Sequence, residues 1–404
     1  MKKNYFLLAA TTMMFAACAQ TDLVNEVVTE EAPQAIGFET FANKQTRAAE
    51  NNATSSYSWS LSDHHTSFMV WGYKNVTNAK VFDGVTVSYI DTNSDSQADD
   101  WDYVSNSGFP VYWDKTATRY DFYAAAPAKA RFWTLNDNAT SNNNTDDYIT
   151  TALFTLPSHN EATYQASPSG ATNVINDNGV EDLMIAEQKI VNKNVGEVYG
   201  QVGLNFIHIL SRLNVTVKAT IDGVSVKSIT VGNLNSQGYF NENPTLKDSE
   251  GKDFKLSSSD ISSGTNLRWT TVEDDNSKAP VVPAPVISYT NSTSKDLEKS
   301  KTYLAIEALV IPQIAGVESI DLNAKTFSDK IEPYLYIEYS INEEDFTQAY
   351  NLADAFSLET TTPAFKFSEG YQNTLNISIG GNMIDFTGNV ATWGNAVEGT
   401  QPIE

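Results

Sequence analysis

The sequence predicts an all-β protein built from two β-sandwich domains in tandem. Nearly every apolar stretch alternates with a period of two, as half-buried strands do, and the gaps between the stretches are rich in Asn, Asp, Ser, Thr and Gly. Amphipathic helices are lacking, although Glu343–Asp354 has room for a turn or two. About 387 residues remain after an N-terminal leader, enough for two cores. We place the domain boundary near residue 200, which gives domains of 34–200 and 201–404.

The leader has the layout of a lipoprotein signal peptide over residues 1–17. Lys2 and Lys3 precede an apolar run, and small residues stand directly before Cys18. Cys18 is the only cysteine, so it cannot form an internal disulfide, and we predict that it carries lipid, such as palmitate. The alternative is an ordinary signal peptide with a leftover thiol. Residues 18–33 are polar and acidic, which is typical of a flexible spacer.

The first strand is predicted directly after the spacer. Ile36, Phe38, Thr40 and Ala42 fall on one face of a strand, which ends in a polar segment containing Arg47. Arg47 and Ala48 form a candidate site for a trypsin-like protease. The alternative is that Arg47 is a solvated side chain at the end of a strand, as most surface arginines are.

The later strands follow the same alternation. They are predicted at Lys80–Ile90, Phe109–Trp113, Tyr120–Ala124, Val180–Ile190, Val202–Ala219, Tyr303–Pro312, Tyr334–Tyr339, Thr374–Ile379 and Met383–Phe386. Glycine-containing turns predict hairpins at Asp83-Gly84, Asp222-Gly223 and Gly380-Gly381-Asn382. Five apolar residues are expected to lie in the core: Leu213, Val215, Val217, Ile306 and Val310.

The net charge excludes several partners. Without the leader the chain has 24 Lys and Arg against 50 Asp and Glu, a formal charge of −26. Phosphate backbones require a basic face, so we expect no nucleic-acid partner. Anionic lipid headgroups are disfavoured for the same reason, which leaves lipid on Cys18 as the membrane contact.

Motifs for enzymatic chemistry are lacking. The chain has no nucleophile elbow, zinc-protease motif, phosphate-binding loop, dinucleotide fingerprint or Cys-x-x-Cys pair, so we predict no enzyme and no cofactor. His64 and His65 would point to opposite faces of a strand, which makes them a weak metal pair. His208 lies in an apolar run and is expected to be structural.

One acidic loop resembles a calcium-binding loop. Asp91, Asn93 and Asp95 place oxygen ligands at alternate positions, but Ser96 and Asp102 occupy positions where such loops have Gly and Glu. The loop also lies between strands rather than helices. A solvated acidic turn is therefore the favoured interpretation, with calcium as the alternative.

The aromatic residues raise a second functional hypothesis. Trp59, Trp71, Trp101 and Trp113 could stack on sugar rings if their faces were exposed, which would make the protein a monomeric, glycan-binding surface lipoprotein. Tryptophan on strands more often packs in the core or across strands, and that interpretation is favoured.

Taken in order, several short segments resemble the Bacteroidales fimbrillin family, which supplies subunits of lipoprotein-derived pili. The segments are the lipobox at Cys18, Ile36-Gly37-Phe38, Lys44–Ala48, Tyr120–Ala124 before Ala126-Pro127, Asp182–Ala186, Phe206–Leu213, Leu309–Gln313 and Gly370-Tyr371. The resemblance implies two transthyretin-like, Greek-key β-sandwich domains, assembly at the cell surface and no enzymatic activity.

The resemblance also implies partners and a location. Partners would be other pilus subunits and host or bacterial surface ligands, and the protein would be anchored in the outer membrane or assembled into a fimbrium that contributes to adhesion. Shaft subunits of the family donate a C-terminal strand, whereas here only eleven polar residues follow Trp393. Either the strands from Met383 onward move out, or the chain is a tip-like subunit that only receives a strand.

Overall fold

The computed structural model describes residues 33–42, 61, 65–75, 79–90, 100–105, 107–136, 147–156, 159–160, 182–196, 200–241, 246–247, 253–254, 268–271, 287–290, 296–315, 333–356, 365–381, 383–392 and 400–402. Apart from Pro33, these residues belong to one compact unit, Gln34–Glu404. The strands of its first half are β1 Gly37–Ala42, β2 Ser67–Lys74, β3 Ala79–Ile90, β4 Asp100–Tyr103, β5 Arg119–Ala126, β6 Trp133–Asn136, β7 Tyr148–Thr151, β8 Phe154–Thr155, β9 His159–Asn160, β10 Met184–Asn192 and β11 Gln201–His208.

The second half of the chain is also made of strands. They are β12 Ser211–Ala219, β13 Val224–Gly232, β14 Gln237–Phe240, β15 Leu246–Lys247, β16 Asp253–Phe254, β17 Trp269–Thr271, β18 Ile287–Thr290, β19 Thr302–Val310, β20 Gln313–Ala315, β21 Tyr334–Ile341, β22 Glu344–Asn351, β23 Phe365–Phe367, β24 Tyr371–Gly380, β25 Met383–Thr392 and β26 Thr400–Pro402. The one helix in the described residues is α1, Leu352–Ala355, which Asn351 caps by accepting hydrogen bonds from two of its backbone amides. The prediction of an all-β protein is confirmed.

A seven-stranded sheet in the order β1-β11-β10-β5-β2-β3-β4 dominates the first half. β1 runs parallel to β11, and the remaining neighbours are antiparallel. β2 and β5 are buried along nearly their whole length on both faces. Their sequences are therefore continuous apolar runs rather than alternations.

One face of this sheet covers the N-terminal core, a cluster of buried side chains from β1–β5, β10 and β11. Its aromatic members are Phe38, Phe68, Phe82, Trp101, Trp113, Tyr120, Phe122 and Phe206. The other face covers a shared core, which combines side chains of this sheet with residues from later in the chain. Its aromatic members are Trp71, Tyr73, Tyr123, Trp133, Phe154, Phe240 and Trp269. Burial of both faces fixes the sheet between two apolar layers.

The second half forms a β-sandwich around a C-terminal core. One five-stranded sheet has the order β25-β24-β12-β19-β26, and the other has the order β22-β21-β13-β18-β9. The five residues predicted to be buried lie in the interior, each at most 1% exposed, so that prediction is confirmed. The smaller pairings β17-β14-β8, β15-β16, β20-β23 and β6-β7 complete the described sheets.

Three local predictions are corrected by the structure. Phe109–Trp113 is not a strand, because only the isolated bridge between Ala35 and Tyr112 forms there. Asp83-Gly84 is a β-bulge inside β3 rather than a hairpin, since the pairing with β2 shifts at this point and Gly84 has a φ of +66°. Asp222-Gly223 is a turn, but it connects strands of two different sheets.

Two further predictions have clear counterparts. β24 and β25 form an antiparallel hairpin that pairs Gly380 with Met383, as predicted. The helical turn expected in Glu343–Asp354 is limited to α1, and the rest of that segment is β22. The tandem-domain division remains a prediction; by strand pairing, the change from the seven-stranded sheet to the sandwich falls between β11 and β12.

Candidate functional site

The predicted first strand, β1, is an edge strand of the seven-stranded sheet. It pairs with β11 over its whole length, from Gly37 opposite Gln201 to Ala42 opposite Phe206. Among the described residues, this parallel partner, distant in sequence, gives β1 its one continuous ladder of backbone hydrogen bonds. β1 therefore depends on β11 for its position, whereas β11 also pairs with β10.

The side chains in and just before β1 alternate between core and solvent, as the period-two sequence predicts. Ile36 and Phe38 are 0% and 1% exposed, Thr40 is buried, and Glu39 is exposed. Full burial of one large apolar side chain contributes about 1.5–3 kcal/mol. Removal of this segment would thus uncover a distinctly apolar surface.

Phe38 is surrounded by aromatic rings of the N-terminal core. Four rings lie edge-on to it at centroid distances of 5.3–6.1 Å: Phe68, Phe82, Tyr103 and Phe122. Edge-to-face pairs at these distances are favourable beyond the burial of their area. The position of Phe38 is therefore an aromatic pocket shaped for a large flat side chain.

A short second wall lies on the other side of the residues that lead into β1. The segment Val111–Trp113 contacts Gln34–Ile36 in the antiparallel sense. Its contacts are the Ala35–Tyr112 bridge, a 2.7 Å hydrogen bond from Ile36 N to Val111 O and a 3.0 Å hydrogen bond from Trp113 N to Gln34 O. We call the space between β11 and Val111–Trp113, with the N-terminal core beneath it, the strand-1 slot.

Tyr103, at the end of β4, connects the segment in the slot to the second wall. Its hydroxyl donates to Ile36 O at 2.8 Å and accepts from Val111 N at 3.2 Å. Burial raises the pKa of this hydroxyl, so it stays protonated at neutral pH. Tyr103 thereby contacts the backbone of the segment that leads into β1.

Asp114 holds the second wall in place. Its backbone N donates to the Tyr120 hydroxyl at 2.7 Å, its carbonyl accepts from Lys193 Nζ at 2.8 Å, and its carboxylate pairs with Lys74 at 2.7 Å. Hydrogen bonds from Lys74 and Thr116 hold the pKa of the Asp114 carboxyl well below its usual range. None of these contacts involves β1, so the wall has supports of its own.

β25 resembles β1 in sequence but differs in burial. The pattern Ile-x-Phe occurs both at Ile36 and Phe38 and at Ile384 and Phe386. β25 is an edge strand of its sheet, and Ile384 and Phe386 are only partly buried against the C-terminal core. Two edge strands with one apolar pattern therefore sit in very different environments.

Several predicted site residues fall outside the described part of the chain. These are Cys18, Arg47, Ala48, Asp91, Asn93, Asp95, His64 and Trp59. Within the described residues, no group of three or more His, Cys, Asp or Glu side chains could hold a metal ion. The described residues also contain no helix that is long and apolar enough to cross a membrane.

The other candidates occupy structural positions. Trp71, Trp101 and Trp113 are buried at 6%, 9% and 4% exposure, so none presents a face on which a sugar ring could stack. His208 Nδ1 lies 2.5 Å from Asp182 Oδ2 in a largely buried pair, in line with the structural role predicted for it. These tryptophans and His208 therefore contribute to packing in the described part of the chain.

Tyr103 and the second wall were missed at the level of sequence. The contact from Tyr103 to Ile36 spans 67 residues, and no periodic pattern reports a pairing over that distance. The aromatic residues of the wall predict a strand, but only an isolated bridge forms there. A usable signal was Pro110, which has no N–H for a ladder and so argues against a regular strand.

Comparison with known proteins gives the family. A fimbrillin-like family model matches residues 46–393. No curated protein matches the chain. Solved structures similar to it include a candidate cell adhesion protein from Bacteroides ovatus (12% identity, TM-score 0.45, covering 90% of this chain and 99% of that one) and a fimbrial protein from Bacteroides vulgatus (14%, 0.39, 89% and 99%). Another is the tip fimbrial protein Mfa3 from Porphyromonas gingivalis with a C-terminal truncation (9%, 0.37, 82% and 95%). Since the family model covers most of its length, the chain belongs to the fimbrillin-like family.

Proposed function

We propose that the protein is a structural subunit of a cell-surface fimbrium, assembled by strand exchange and contributing to adhesion. The precursor is exported as a lipoprotein, and Cys18 anchors it in the outer membrane. Cleavage after Arg47 removes β1, and a strand from another subunit takes its place in the strand-1 slot. The product is a polymer in which each subunit completes the sheet of its neighbour.

The observation that carries this proposal is the combination of burial and weak attachment in β1. Ile36 and Phe38 are fully buried, yet the strand has one continuous ladder and sits at the edge of the sheet. An edge with unpaired N–H and C=O groups readily accepts another extended segment. Loss of β1 would create such an edge directly above an aromatic pocket.

The position of Arg47 agrees with this role. β1 ends at Ala42, so a cut after Arg47 separates all of β1 from the rest of the sheet. The match to the family model begins at residue 46, so it includes the acceptor sheet and leaves β1 out. These positions support Arg47 as the processing site.

We assign the donor strand to β25 of a second subunit. Its Ile384 and Phe386 repeat the spacing of Ile36 and Phe38, and they are only partly buried against the C-terminal core of their own subunit. Full burial in the slot of another subunit would compensate for leaving the C-terminal sandwich, at about 1.5–3 kcal/mol per large side chain. The alternative is a tip-like subunit that accepts a strand and donates none.

Replacement of Arg47 tests the switch. We expect Arg47→Ala protein, produced in its native host, to stay unprocessed and to enter few polymers, because β1 would still fill the slot. High-molecular-weight ladders after mild heating in detergent measure assembly. Arg131→Asn, which removes an exposed arginine elsewhere, is the matched control and should assemble normally. Assembly of Arg47→Ala at the wild-type level would contradict the proposal.

Replacement of Cys18 tests the anchor separately. Cys18→Ser should incorporate no labelled fatty acid and should leave the membrane fraction, since a body with a charge of −26 has little affinity for anionic headgroups. Cell fractionation together with metabolic labelling measures both effects. Continued labelling of the Cys18→Ser protein would contradict lipidation at this residue.

A further inference from the structure

An exposed apolar surface lies at the entrance of the strand-1 slot. Val104, Phe109 and Tyr112 are 76%, 73% and 47% exposed, and all three belong to the loop that follows β4. Ser105 Oγ donates to Phe109 O and closes this loop on itself. We call these three residues the entrance patch, because they stand on one short loop beside the slot; exposed apolar surface of this kind commonly marks an interaction site.

The entrance patch is continuous with the slot. Tyr112 forms the β-bridge with Ala35, the residue directly before Ile36. The small side chain of Ala35 is itself exposed and covers little of the apolar surface beside it. The N-terminal end of any strand in the slot must therefore pass this patch.

A second unexplained apolar side chain is found on the donor strand. Met383, the first residue of β25, is 67% exposed, although it stands next to the partly buried Ile384. It follows the two-residue hairpin directly and faces away from the C-terminal core. Nothing in its own sandwich requires a methionine at this position.

The Ile-x-Phe pattern relates these two features. If Ile384 and Phe386 occupy the positions of Ile36 and Phe38, Met383 occupies the position of Ala35, because each of these residues directly precedes the isoleucine in its strand. Met383 would then form the bridge to Tyr112 and lie over the entrance patch. Asp385 would then replace the half-buried Gly37, where an added Cβ lies 3.1 Å from Cγ of Gln201, so the flexible side chain of Gln201 would shift slightly.

Other registers fit less well. A shift by two residues in one direction places Gly388 in the aromatic pocket of Phe38 and leaves a cavity there. A shift by two in the other direction places Asn382 at the buried position of Ile36, where an amide would need new partners. Of these registers, the one with Met383 at the position of Ala35 fills the two buried apolar positions with the residue types found there in the intact chain, and Gly388 takes the position of the buried Thr40.

We propose that the entrance patch is a docking surface for a second copy of this chain, covered by Met383 of the incoming strand. The inference rests on the proposed strand exchange and adds the register and direction of the donor: parallel to β11, with Met383 opposite Tyr112. A flexible, polarisable methionine suits contact with two aromatic rings and a valine. Two exposed apolar features of the free subunit would thus cover each other in the polymer.

Intermolecular disulfides test the register. Full-length Tyr112→Cys and Met383→Cys proteins are mixed, cleaved with an Arg-specific protease and oxidised; cleavage after Arg47 also removes Cys18, the native cysteine. Directly paired residues on neighbouring strands have Cα atoms about 4.5–5.5 Å apart, a distance that a disulfide spans. We expect most polymers to contain a reducible disulfide between the two introduced thiols, which joins position 112 of one subunit to position 383 of the next.

A second pair reports the opposite direction. In a reversed donor strand, Thr387 rather than Met383 would face Tyr112, so Tyr112→Cys is also mixed with Thr387→Cys. Polymers that crosslink only through this second pair, or through neither pair, would overturn the register while leaving strand exchange intact. Absence of polymers from cleaved wild-type protein would overturn the proposed function and the inference with it.

Replacement of the side chain tests the contact itself. We expect Met383→Ser to raise the dissociation rate of the polymer about tenfold, the equivalent of losing one partly buried apolar side chain. Met383→Leu should keep the dissociation rate at the wild-type value. Leu153→Ser, a similar change at an exposed position remote from the slot, is the control and should leave dissociation unchanged. Equal dissociation of the serine and leucine variants would contradict the docking surface.

Discussion

β1 and β25 carry one apolar pattern and both occupy sheet edges, yet their surroundings differ. The Ile36–Phe38 segment is buried between β11 and Val111–Trp113, whereas β25 covers its sandwich from one side and leaves alternate residues exposed. Among the strands that the structure describes, each of the two has a single continuous ladder: β1 with β11 and β25 with β24. The difference lies in side-chain burial and in the second wall, not in the number of continuous backbone ladders.

The number of backbone ladders that a strand must break decides how readily it can leave its sheet. β12, in the middle of its sheet, pairs with β19 on one side and β24 on the other, so it cannot leave without breaking two ladders. β1 and β25 can each leave by breaking one continuous ladder. In the proposed exchange, the slot would favour the occupant that buries more apolar surface.

Phe38 and Phe386 give the largest expected contrast between the two edge strands. We expect Phe38→Ala to destabilise the full chain by about 3–5 kcal/mol, because a cavity remains among four aromatic rings. Phe386→Ala should cost about 1–2 kcal/mol, since its ring is only partly buried against the C-terminal core and beside Tyr350. Urea denaturation of both variants measures the difference. Equal losses would show that β1 is no better buried than β25.

The sequence predicts the buried face of β1 and the hairpin turn before β25. Period-two alternation placed Ile36 and Phe38 on a single buried face, and the glycine-rich turn before Met383 predicted the hairpin of β25. Both signals are local, because a strand shows its buried face through its own residues and a tight turn requires particular backbone conformations. That is why these elements could be recognised without any knowledge of the tertiary structure.

The second wall could not be recognised in this way. Its pairing with Gln34–Ile36 and its support by Lys193 join residues that lie far apart in sequence. Gly84 shows a similar limit, since an Asp-Gly pair is compatible with a hairpin or a bulge until the pairing of the neighbouring strand is known. Local patterns identify strands, but tertiary pairing decides which ones form a slot.

Tyr103 allows a sharper test of the second wall, with an intermediate effect. We expect Tyr103→Phe to destabilise the precursor by about 1–2 kcal/mol, because it removes hydrogen bonds to Ile36 O and from Val111 N and leaves the ring in place. Tyr89→Phe, on the neighbouring strand of the same sheet, is the control. Melting temperatures of the two variants compare the hydroxyl groups directly. Equal shifts would argue that Tyr103 contributes only its ring.

Asp114 gives the smallest expected effect and tests the wall by pH. Its carboxyl pKa is lower in the folded protein than its ordinary value of 3.8, owing first to the hydrogen bond from Lys74 and then to Thr116. The carboxylate therefore contributes stability above the unfolded-state pKa, and this contribution is lost as the pH falls through the folded-state pKa. Because the pair is partly exposed, we expect only about 0.5–1 kcal/mol at pH 7.

Asp114→Asn should therefore lower stability at neutral pH and reduce the loss of stability on acidification below about pH 4. The comparison between the edge strands adds a second expectation. A wall held less firmly should weaken occupation of the slot by β1 and leave the packing of β25 unchanged. Hydrogen exchange of the backbone amides of β1 and β25, compared between variant and wild type, measures both effects. The control is Asp345→Asn, which breaks the exposed pair with Lys227. If Asp114→Asn raised the exchange rate of β25, relative to wild type, as much as that of β1, Asp114 would support the fold in general rather than the slot.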